Sequence, residues 1–104
     1  MDLDADNPLA VEIRQEMAEA YFAACKQMVA SLEALKAFDH AATSATLEHG
    51  QFARRSELLE EACERVFFVV VQREAMNLSC FEGFFKDYEI PDDVRTRMGP
   101  KRRT

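Results

Sequence analysis

Between Pro8 and Ala37 the apolar residues recur in steps of three and four, the period of an α-helix. One row is Ile13, Met17, Ala20, Tyr21, Ala24, Met28, Leu32 and Leu35. A second row, Val11, Ala18, Phe22, Cys25 and Val29, lies beside it. Together they cover roughly 220° of the circumference, where an ordinary surface helix carries an apolar stripe of about 100° or a little more. One neighbouring helix cannot bury so wide a surface. This feature restricts the chain to multi-helix packing and predicts a homodimer.

Other signals agree with a helical chain. The 104 residues hold only three Gly and three Pro, too few breakers for many short strands. Asn7 before Pro8 is an N-cap followed by a residue suited to the first helical position. A connector is expected over 38–51, with a short helix at 42–49 ended by Gly50; the alternative is that the first helix runs on past His40. A second long helix is predicted from Phe52 to Asn77, its inner face formed by Phe52, Leu59, Ala62, Cys63, Val66, Val69 and Val70. The run Val66–Val71 is β-prone in composition. Its flanks are helical and no partner strand exists, so the run reads as helix. Phe68 and Val71 fall away from that inner face and need cover from elsewhere. A third, short helix is predicted from Cys80 to Tyr88, with Ser79 and Glu82 as a capping box. Its aromatic stripe, Phe81, Phe84, Phe85 and Tyr88, is expected to fold back over Phe68 and Val71, or else to stand exposed as a partner groove. A last turn or two is predicted from Pro91 to Met98.

The expected fold class is therefore all-α: a long antiparallel helical hairpin plus one or two short C-terminal helices, assembled as a dimeric helical bundle. The chain reads as one helical domain over 1–104, with a flexible acidic start at 1–6 and a flexible basic tail at 99–104.

Composition narrows the function. The net charge of −6 disfavours binding to nucleic acid, where phosphate neutralisation dominates affinity. No apolar run approaches the ~20 residues of a membrane-spanning helix, so no membrane contact is expected. The acidic start does not read as a secretory leader. The three cysteines, Cys25, Cys63 and Cys80, are odd in number and contain no Cys-x-x-Cys pair, which predicts a reduced, cytoplasmic setting.

No catalytic, cofactor or metal motif stands out, and none of those sites is expected. Asp39-His40 and Glu48-His49 bring carboxylate and imidazole together, but adjacent helical residues point about 100° apart. No Glu-x-x-His or His-Glu-x-x-His occurs, and both histidines read as surface groups. Cys80, at a helix start, is the thiol to test for reactivity. Glu57, Glu60, Glu61 and Glu64 read as a solvated face. Arg73 projects near the inner face of the second helix. It must snorkel to the helix end, pair with an acid across the bundle, or hold an anionic ligand, and snorkelling or pairing is preferred over the ligand. The predicted interface residues are Phe22, Phe68, Val71, Phe81, Phe84, Phe85 and Tyr88. The predicted function is that of a small cytoplasmic interaction, adaptor or regulatory protein without catalytic activity, with a possible protein partner besides its own copy. A ligand- or metal-binding bundle, with or without enzymatic activity, is the alternative.

Overall fold

The computed structural model describes residues 7–42, 49–78 and 82–98. Within them the fold is all-helical, with no strand. Helix α1 runs Pro8–Ala42, α2 His49–Ala75, α3 Glu82–Asp87 and α4 Asp92–Arg97. The molecule is a rod of 60 × 30 × 23 Å.

Helix α1 begins as the sequence predicts. The Asn7 side chain accepts a hydrogen bond from the Leu9 N–H at 2.9 Å, and its carbonyl accepts the first intrahelical bond from Val11. The helix does not stop at Ala37. It continues through Phe38, Asp39 and His40, because Phe38 packs against the core and Asp39 reaches a cation on α2. The connector is correspondingly shorter than 38–51. Gly50 lies inside the first turn of α2 and ends no helix. The remainder of the expected short connector helix, and both expected flexible ends, lie outside the described residues.

Helices α1 and α2 pack antiparallel, joined across the hairpin by Asp39–Arg55, Gln27–Arg65 and Tyr21–Arg73. The core combines Ala24, Met28, Leu32 and Leu35 of α1 with Leu58, Leu59, Ala62, Cys63, Val66 and Val69 of α2. Ser31 is buried too, and its hydroxyl is satisfied by the Met28 carbonyl at 2.8 Å. Phe52 departs from expectation and is 59% exposed. Leu58, outside the predicted inner face, joins the buried residues.

The two short helices close one side of the hairpin. Val94 of α4 is fully buried beside Cys63, whose thiol points at the Val94 carbonyl at 3.7 Å. Asp93 accepts a bond from Arg55 at 3.3 Å. Phe84, Phe85 and Ile90 join the core cluster. They do not cover Phe68 and Val71, which remain 51% and 43% exposed. The aromatic residues turn into the groove between α1 and α2, where each can bury against two helices. The outer edge of α2 offers only one.

Both α2 and α3 end in the same device. Asn77 has φ 63° and Glu89 has φ 50°. In each case the next residue's N–H reaches back to close the last turn, Leu78 to Arg73 at 2.7 Å and Ile90 to Phe85 at 2.9 Å. This is a Schellman C-cap, normally built around Gly because a left-handed residue with a Cβ is strained by roughly 1–2 kcal/mol. Asn tolerates that conformation and Glu does not. Glu89→Gly is therefore expected to raise stability by up to about 1 kcal/mol, read from the urea midpoint at unchanged slope. A clear loss of stability would show that the Lys36–Glu89 ion pair outweighs the strain.

Candidate functional site

The most developed polar cluster lies where α1, α2 and α3 meet. Arg73 leaves the inner face of α2 and donates to the Tyr21 hydroxyl of α1 at 2.7 Å. Its guanidinium also lies over the Phe84 ring, 5.0 Å from the centroid. Phe84 packs on Tyr88 with ring centroids 5.2 Å apart. Both tyrosines lie near enough to the Cys25 thiol to interact with it electrostatically. Arg73 thus pairs across the hairpin, and the group it meets is a tyrosine hydroxyl.

The electrostatics favour neutral tyrosines. Burial, joined by the Cys25 contact, raises Tyr21 above its ordinary value and outweighs the pull of Arg73 in the opposite direction. Tyr88 is raised by burial and by the same thiol. This arrangement keeps the hydroxyls protonated and ties three helices together. It does not prepare a nucleophile.

A second cluster fixes α4. Arg55 donates to both oxygens of Asp39, at 2.7 and 3.0 Å, and to Asp93. Asp39 is the main cause of the raised Arg55 pKa. Arg95 grips Glu82 and stacks over Phe85 at 4.4 Å, which joins α4 to α3. The Glu82 carboxyl is held below its ordinary value by that guanidinium.

The remaining candidates are scattered. His40 is exposed in the last turn of α1, and His49 opens α2. Cys63 is buried, and burial pushes its thiol up, away from reactivity. Cys80, Phe81 and Glu48 lie outside the described residues. Among the described residues no three His, Cys, Asp or Glu side chains gather as metal ligands. No described helix is long and apolar enough to cross a membrane. Of the predicted interface residues, Phe84 and Phe85 are buried, Tyr88 is half-buried, and Phe22, Phe68 and Val71 are exposed.

The Arg55 cluster was missed from sequence because its three members are 16 and 38 residues apart, with no local pattern linking them. The one available signal was a cation on the inner face of an otherwise apolar helix, the signal that marked Arg73.

Comparison of the chain with known protein families, curated proteins and solved structures finds no match.

The tyrosine pair gives a direct test, since the chain has two Tyr and no Trp. Both should ionise above the ordinary value near 10 in an absorbance titration. Because the folded state holds them protonated, their contribution is complete below the unfolded value. It disappears as pH rises through the folded values, so the Tm should fall over that range. Arg73→Ala should lower stability by about 1–3 kcal/mol, through the lost charged hydrogen bond and ring contact. An unchanged Tm would show that Arg73 makes no net contribution.

Proposed function

We propose that this chain is a non-catalytic, cytoplasmic protein-interaction module that works as a homodimer, with the first half of α1 as the dimer contact. The supporting observation is the distribution of exposed apolar side chains. Among the described residues, eight large hydrophobics stand exposed. All but Phe52 (Leu9, Val11, Met17, Phe22, Phe68, Val71 and Leu78) lie in the half of the rod where α1 begins and α2 ends. The buried α1 members of the helix–helix core fall within residues 24–35, with Tyr21 and Phe38 packed at its two ends. With 35 residues against 27, α1 outruns α2, and at the register of Tyr21–Arg73 its first ten or so residues run beyond Ala75; there Ala10 is sealed and Ile13 half-buried, while Leu9, Val11 and Met17 stand exposed.

A second copy of α1 suits this projection. Ile13 and Met17 continue the stripe that α2 covers farther along, and α2 covers it as an antiparallel helix. Another α1 in antiparallel orientation repeats that packing, with the same patch on both chains as a two-fold interface requires. Glu12, Glu16 and Glu19 are exposed on the opposite side of α1, where the two chains' acids do not meet. The two free thiols, Cys25 and Cys63, agree with a reducing setting.

Light scattering over a concentration series should give twice the 11.9 kDa chain mass. Met17→Asp combined with Ile13→Asp should give a helical monomer by circular dichroism. A wild-type monomer at high micromolar concentration would refute the dimer. An aspartate pair that left the mass doubled would move the contact elsewhere.

A further inference from the structure

The outer face of α2, turned away from α1, carries a stripe that neither the core nor the α1 projection uses. Glu57, Glu61, Glu64, Phe68, Val71 and Ala75 follow one another in alternating steps of four and three. That is the spacing of a coiled-coil seam. All six are exposed, Phe68 by 51% and Val71 by 43%. The stripe is about 27 Å long, or five turns. Its chemistry changes halfway, from three carboxylates to three apolar residues.

We propose that this stripe docks an amphipathic helix of a partner protein, one whose apolar seam adjoins a block of Lys and Arg. The proposal rests on the reading that this chain acts by binding. Charge complementarity decides the occupant. Among the described residues Glu61 and Glu64 form no ion pair. Glu57 meets only Arg54 of its own helix, an i,i+3 contact with both side chains at least 60% exposed. Such a pair has little strength to compete with an incoming cation. A three-carboxylate row in line with an apolar seam repels nucleic acid and anionic lipid. It complements a basic helix and steers its approach.

Among the described residues a second copy does not supply that helix. Helix α1 offers no block of Lys and Arg in line with its apolar stripe, and Glu12, Glu16 and Glu19 on its far side carry the wrong sign. Helix α4 is basic at Arg95 and Arg97 but spans only six residues, too short for five turns. Phe68 is the anchor, as the largest apolar side chain at the centre of the stripe.

The test uses the full chain and a defined probe. The probe is a fluorescein-labelled 21-residue peptide with leucines at the heptad a and d positions of three turns and lysines at those of the next two. Fluorescence anisotropy should show saturable binding that weakens as salt rises. Phe68→Ala should weaken it about tenfold or more, and so should Glu61→Lys with Glu64→Lys. A probe with glutamates in place of the lysines should bind at least about tenfold less tightly. Circular dichroism and light scattering of each variant should match the wild type, since the residues are exposed and off the α1 contact. The proposal fails if the probe does not bind, or binds wild type and variants alike. It fails also if the glutamate probe binds equally well. A Phe68→Ala variant of halved mass would overturn it as well, by placing a second copy on the stripe. A wild-type monomer that still binds the probe selectively would refute the dimer alone and leave this proposal standing.

Discussion

The antiparallel contact between α1 and α2 governs everything else in the structure, because it is shorter than the helix that makes it. Buried α1 residues of the core begin at Ala24 and end at Leu35. Over that stretch Met28, Leu35, Val66 and Val69 are essentially sealed from water. Apolar burial at about 25 cal/mol per Å² makes this the main source of stability. The contact cannot extend toward the start of α1, since α2 is closed by the left-handed Asn77 and its last carbonyls are satisfied within the cap. The cap that ends α2 leaves Leu9, Val11, Met17 and Phe22 of the first half of α1 exposed, while Ala10 in the same half is sealed from water.

Polar chemistry then decides where the C-terminal residues go. The groove between α1 and α2 is apolar along its floor and has cations at both ends, Arg73 at one and Arg55 at the other. Phe84 offers a ring to the first and Asp93 a carboxylate to the second. Nine residues separate Phe84 from Asp93 in sequence, enough for one turn of α3, the Glu89 reversal and the start of α4. Each half-buried guanidinium has found a partner. Arg73 faces a hydroxyl and a π-face, which do not require burying a second full charge. Arg55 pairs with two carboxylates that are themselves 44% and 40% exposed.

The helical class, the N-cap at Asn7 and the inner face of α2 from Leu59 to Val69 were legible because they are carried by local period and local capping chemistry. What escaped were the features set by tertiary contact. Helix α1 passes Ala37 because Asp39 has Arg55 to meet, a fact no local pattern contains. The aromatic stripe of α3 was correctly seen as needing a partner, but its destination was misread. A wheel shows that Phe68 and Val71 lack cover. It does not show that a two-helix groove competes for the same aromatics and wins by offering more burial. The Glu89 reversal was invisible for a different reason. Glu carries no left-handed propensity, and the cap exists because Ile90 and Val94 are held in the core on either side of it.

The uneven placement of exposed apolar groups follows from these same choices. Once the aromatics of α3 enter the groove, the outer edge of α2 keeps Phe68 and Val71, and once α2 is capped, α1 keeps Met17 and Phe22. Neither surface reads as a packing error, because each is bordered by acids along its own helix: Glu57, Glu61 and Glu64 in line with one, Glu12, Glu16 and Glu19 behind the other. Acidic borders maintain solubility while apolar side chains stay exposed, and they exclude polyanions and acidic surfaces from both. The two surfaces differ in what they can accept. The projection of α1 has its acids on the far side, so it presents an apolar face that a copy of itself can match. The stripe on α2 has its acids in the seam, so it rejects an acidic copy and selects for positive charge. The described residues thereby carry two exposed apolar surfaces of different charge pattern on one hairpin, separated by a core that belongs to neither.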